Sequence, residues 1–207
     1  MMHMTTPPDH HGADALWQDG WYRFARALRS PNAGERPANA SIDLVVLHSI
    51  SLPPGRYGGE EVLQLFTNTL DWSAHPYFES IRGMTVSAHF FIGRTGMLWQ
   101  FVSCDARAWH AGQSRYRGRD NCNDDSIGIE LEGLEGDTFE DAQYETLTAL
   151  CAALGQKYPV KYIAGHEHIA PGRKQDPGSG FQWAFLQRAL GWNTQCFPDG
   201  AVRSSSA

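Results

Sequence analysis

IDLVVLH, residues 42–48, is a β-branched apolar run closed by a polar side chain, and it predicts a buried strand. It passes into SISLPPGRYGG (49–59), a loop rich in turn residues, and then into Glu60–Leu70, where Val62, Leu65, Phe66 and Leu70 recur at helical spacing. VSAHFFI (86–92) predicts a second strand, Gly93–Gly96 a tight turn, and Met97–Val102 the returning strand of a hairpin. SIGIEL (126–131) is a further short strand. Asp137-Thr138 can cap a helix over Phe139–Lys157, with Tyr144, Leu147, Leu150, Cys151 and Leu154 on its apolar side and Tyr158-Pro159 stopping it. Tyr162–Ala164 reads as a short strand, GHEHIAPGRKQDPGSG (165–180) as a loop, and Phe181–Leu190 as a last helix. Strands and helices are interspersed, one pair of strands is antiparallel, and no repeat or linker divides the chain. The expectation is α+β: a single domain over residues 16–195 with a mixed central sheet flanked by helices, between tails at 1–15 and 196–207.

At 207 residues, with 42% apolar and 12% aromatic side chains, the chain suits one core. Net charge is −6, and no basic footprint suited to a phosphate backbone is visible, which argues against nucleic acid as a partner. Three arginines in Arg115–Arg119, beside Asp120, read as a solvated loop. The N-terminus lacks the basic start and apolar run of a secretory signal, and Leu44–Leu47 is far too short to span a membrane. Cys104, Cys122, Cys151 and Cys196 are scattered, without a C-x-x-C pair, and read as reduced thiols. A soluble cytoplasmic monomer is the expectation. The His10-His11 pair lies in the polar N-terminal tail and is read as irrelevant to the fold.

His48, His166 and Asp176 stand at the ends of the expected strands or in the loop that follows. A catalytic zinc takes three such ligands and leaves a fourth place for water. Pro171 and Pro177 limit the freedom of the loop that carries two of them. Among 9 histidines, spacing alone does not choose. His89, inside VSAHFFI, reads as a satisfied core histidine or a ligand. His110, in AWHAG, reads as a substrate contact or a turn residue. His168 competes with His166, and His75, before Pro76, reads as structural.

The blocks VVLHSISLPPG, HPYF, RGMTVSAHFFI, AWHAG, CNDDSIGIELEG and AGHEHIAPGRKQDPG, in this order from about Trp21 to Trp192, resemble the successive signatures of the AmpD family. Its members are zinc-dependent 1,6-anhydro-N-acetylmuramyl-L-alanine amidases of peptidoglycan recycling, with the type 2 amidase and peptidoglycan-recognition fold. The resemblance implies His48, His166 and Asp176 as zinc ligands, Glu130 and Lys174 as catalytic, and an anhydro-N-acetylmuramyl peptide (a muropeptide) as substrate. The residues agree with these roles. A carboxylate at Glu130, among Ile127, Ile129 and Leu131, is paired, exposed or aimed into a site, and in a site it can move a proton. Lys174, two residues from a ligand, can face an oxyanion; its alternative is an ordinary loop lysine. Tyr77, Trp109, His110 and Ser49 are candidate substrate contacts.

Relatives of this kind commonly carry asparagine after the first ligand and arginine before VSAH, where this chain has Ser49 and Thr85, and RGRDN stands before CND. Such arginines suit a bidentate grip on a diaminopimelate carboxylate, so these departures bear on the stem peptide and not on the metal. Two rival readings stand beside the amidase: a non-catalytic muropeptide-binding module, which typically lacks a ligand, and a periplasmic amidase acting on larger glycans.

Overall fold

The computed structural model describes residues 15–202. Six strands form the central sheet: β1 (Arg26–Ala27), β2 (Leu44–Ile50), β3 (Phe90–Ile92), β4 (Leu98–Gln100), β5 (Ser126–Glu132) and β6 (Tyr162–Gly165). Their order across the sheet is β6-β2-β5-β3-β4-β1. The β6, β2, β5 and β3 strands run parallel, β3 and β4 make the antiparallel hairpin, and β1 lies parallel to β4. Among the described residues five α-helices surround the sheet: α1 (Glu61–Phe66), α2 (Pro76–Ser80), α3 (Asp141–Lys157), α4 (His166–Ile169) and α5 (Trp183–Leu190). This is the expected mixed sheet flanked by helices.

Alternation along the strands assigns the two faces. Val45 and Leu47 of β2, Ile127, Ile129 and Leu131 of β5, and Ile163 of β6 pack against Tyr144, Leu147, Leu150, Cys151 and Leu154 of α3 and Leu186 of α5 in one cluster. The opposite face carries two smaller clusters. One brings Val62, Leu65 and Phe66 of α1 together with Phe78, Phe91 and Phe101; the other gathers Leu44, Val46, Ala164 and Ile169. His48, Glu130 and Glu132 share the parity of that second face, so they stand on the side away from the long helix.

Several boundaries move, each for a local reason. Helix α3 begins two residues later than expected. Glu140, not Asp137-Thr138, is its cap: the Glu140 side chain and Gln143 satisfy each other's backbone N–H groups. Phe139 is left outside the helix to pack edge-on against Phe181. Strand β2 runs on to Ile50, because β5 pairs with it as far as Glu132. Arg115–Arg119 is a hairpin, Arg115–Tyr116 pairing with Arg119–Asp120; Arg115 and Arg117 are solvated as expected, while Arg119 bridges the buried Asp43 and Asp125. The C-terminal tail expected from residue 196 begins later, since Thr194–Cys196 form a helical turn and Phe197 is buried in the main cluster. Residues 1–14 of the expected N-terminal tail, with His10 and His11, lie outside the described residues.

Candidate metal centre

Parallel strands bring their carboxyl ends to one edge, and in open sheets that edge is where ligands bind. The register pairs Glu130 with His48 and Gly165 with Leu47. His166, the next residue after β6, therefore comes level with His48, and three adjacent strand ends carry His166, His48 and Glu130 side by side. Asp176 arrives from the loop after α4, whose backbone is tied back by Glu167 N–H donating to the Asp176 carbonyl at 2.9 Å.

The ligand atoms make a nearly equilateral triangle. His48 Nδ1 lies 3.0 Å from His166 Nδ1, and Asp176 Oδ2 is 3.1 Å from each. All three residues are buried. A tetrahedral zinc, with bonds of about 2.0–2.1 Å, holds its donors about 3.3 Å apart, so two imidazoles and one carboxylate at this spacing fit the ion and leave a corner free. Burial lowers the His48 pKa to about 4, keeping the imidazole neutral as a ligand requires.

Glu130 is buried, and its Oε2 has no partner in the protein. Burial, reinforced by the nearby Asp176 and relieved by Lys174, raises its pKa well above that of an ordinary glutamate. An orphaned carboxylate in a cleft is costly unless it serves a ligand or a proton. The cleft has a volume of about 470 Å³ and is lined by the triangle, Glu130, Lys174, Ser49, Tyr77 and Trp109. Lys174 and Tyr77 are exposed and Trp109 is half-buried. The Ser49 hydroxyl is buried without a partner.

The competing histidines resolve. His89 is fully buried: its Nδ1 accepts from Gly128 N–H and its Nε2 meets the Ala106 carbonyl. It is a satisfied core residue. His168 Nδ1 accepts from Gly165 N–H at 3.1 Å and its ring stands edge-on to Trp183, so it caps α4 and is turned away from the triangle. His75 caps α2, accepting from Tyr77 N–H. His110 lines the cleft, and its two ring nitrogens meet His48 and Ser126.

Asn123, Ser126 and Glu132 were not singled out by sequence. Glu132 accepts from the backbone N–H groups of Gly58 and Arg94, which ties the 51–58 loop to the end of β5. A glutamate two residues after Glu130 was the available signal.

A profile of the N-acetylmuramoyl-L-alanine amidase family matches residues 38–179. The 1,6-anhydro-N-acetylmuramyl-L-alanine amidase AmpD of Citrobacter freundii is 50% identical over 171 residues, 82% of this chain and 91% of its own. The enzyme of the same name from Haemophilus influenzae is 47% identical over 169 residues, 80% of this chain and 92% of its own. Among solved structures, a crystal structure of a selenomethionine AmpD derivative superposes with a TM-score of 0.81 at 48% identity, covering 84% of this chain and 99% of that one. A complex of the Escherichia coli amidase AmiD with anhydro-N-acetylmuramic acid-L-Ala-D-γ-Glu-L-Lys superposes at 0.53 with 27% identity, over 76% of this chain and 65% of that one.

Proposed function

The chain belongs to the N-acetylmuramoyl-L-alanine amidase family, and from that premise we propose that it hydrolyses the amide joining anhydro-N-acetylmuramic acid to L-alanine in muropeptides released during peptidoglycan recycling. The observation that carries this reading is the buried His48–His166–Asp176 triangle with Glu130 one strand away on the same face. His48, His166 and Asp176 would hold zinc, which when bound polarises a carbonyl and makes water more acidic. Glu130 takes the proton of the attacking water and returns it to the departing amide nitrogen, and burial, by raising its pKa, makes it a stronger base than an ordinary glutamate. The Lys174 ammonium, free to swing at the mouth of the cleft, faces the negative oxygen of the tetrahedral carbon. Tyr77 and Trp109 offer ring faces to the sugar or stem, and Ser49 an unpaired hydroxyl.

Work in the cytoplasm, as a monomer, belongs to the same reading. Four free cysteines support the reducing compartment. Among the described residues no helix is long and apolar enough to cross a membrane. The deciding experiment is product analysis on a defined anhydromuramoyl tripeptide. Release of the peptide, abolished by chelation, restored by zinc and absent in His166→Ala, is expected. Tight binding without cleavage by the zinc-loaded wild type would instead make the chain a muropeptide-binding module.

A further inference from the structure

The rings of His48 and His166 each have two nitrogens, and a divalent ion needs the lone pair on the correct one. The hydrogen-bond network decides both cases. The Ala111 carbonyl can only accept, and Arg173 Nη2, 3.4 Å from His166 Nε2, spends its hydrogens on the Ala111 and Gln113 carbonyls at 2.7 and 2.6 Å, so the 3.1 Å contact of His166 Nε2 with Ala111 places the ring proton there and leaves Nδ1 bare. A second chain starts at the Cys122 carbonyl, which accepts from the Ser126 hydroxyl. The Ser126 oxygen then accepts from His110 Nε2–H at 3.3 Å. His110 Nδ1 is thereby an acceptor, and it takes the Nε2–H of His48 at 3.0 Å. His48 Nδ1 is left bare, 3.1 Å from Asp176 Oδ2.

The two chains meet in one segment, Trp109–Ala111, and that segment is itself held. The side-chain carbonyl of Asn123 accepts from the N–H groups of both His110 and Ala111, at 3.0 and 2.8 Å. The His110 ring lies over the backbone of β5 at Gly128, where a Cβ would stand 2.4 Å from its Cγ. Edge-on contacts with His48 and His89, at centroid distances of 5.0 and 5.7 Å, close the seat.

We propose that His110, seated by Asn123, Ser126 and Gly128, is a positioning residue. It fixes the Nε2–H tautomer of His48, while the adjoining Ala111 carbonyl does the same for His166, so that both rings turn Nδ1 to the metal. This rests on reading the triangle as a zinc site. Groups of this kind, one bond removed from the ion, typically change metal affinity by 10–100-fold.

The test uses zinc binding and ring spectroscopy. Asparagine at position 110 keeps an acceptor where Nδ1 stood; leucine does not. In chelator competition, His110→Leu is expected to bind zinc about 10–100-fold more weakly than wild type. His110→Asn is expected to remain within a few-fold. Nitrogen-15 spectra of the zinc-loaded wild type are expected to show Nε2–H signals for His48, His110 and His166, a measurement that needs no variant. Should His110→Leu fold poorly, Ser126→Ala is expected to weaken zinc in the same direction by less. Nδ1–H on His48, leucine binding as tightly as wild type, or asparagine failing as badly as leucine would each overturn the proposal. A wild type that binds no zinc at all removes the metal reading, and this proposal with it.

Discussion

At the residue scale, the roles proposed for Glu130 and Lys174 predict that replacing each should separate two effects. Glutamine at 130 keeps the shape but cannot take a proton, so kcat is expected to fall about 10²–10⁴-fold. Methionine at 174 keeps the stem and removes the charge, at a cost of about 10²–10³ in kcat with little change in KM. Zinc content should be unchanged in both, since neither belongs to the triangle. Loss of the metal, or near-normal turnover, would count against these roles. Both candidates came from the resemblance of their blocks to the family's signatures; by themselves, an acid inside SIGIELEG and a lysine two places before an aspartate agree with those roles without selecting them. Less visible was which histidine does what. His89, His110 and His168 carry the same side chain as the ligands and differ only in what their nitrogens touch, which is set by residues far away in the chain.

At the scale of elements, the longer strands were legible as apolar runs of strand length, whereas the two-residue β1, Arg26–Ala27, carries no such pattern and was not. Short helices were not. Helix α4, four residues long, sits in a stretch rich in Gly and Pro that reads as loop, and it is held by contacts rather than by propensity. Gly165, between β6 and α4, shows how tight that junction is. A Cβ there would stand 2.8 Å from Pro177 Cδ and 3.0 Å from His168 Nδ1. Gly165→Ala should therefore push the loop bearing Asp176 outward, with overpacking costing about 1–3 kcal/mol. Thermal unfolding and metal content measure the two consequences. An alanine variant that melts like wild type and holds its full zinc would show that the junction can relax.

For the whole molecule, buried neutral histidines tie stability to pH. Burial, with the Arg36 guanidinium adding to it, lowers the His89 pKa from 6.5 to about 3. Below the unfolded value the denatured chain binds a proton that the native chain refuses, so stability is lost as pH falls from about 6.5 toward 3. One such residue contributes about 1.4 kcal/mol per pH unit in that window. His89→Asn keeps an acceptor for Gly128 N–H but cannot titrate. Its unfolding free energy should decline less steeply between pH 6.5 and 5 than that of wild type, both measured with denaturant at the same zinc level. Parallel slopes would mean that His89 is not a source of the acid sensitivity.

The ligands are neighbours in space but not along the chain: His48 leaves the second strand of the sheet, and His166 and Asp176 follow the sixth. Nothing local brings His48 to the other two. On this reading the long connection closes before all three side chains meet. A zinc ion bound by them would act on the way out of the native state and not on the way in. Refolding should run at the same rate with or without the metal, while unfolding slows in proportion to its occupancy, as expected for contacts absent from the transition state.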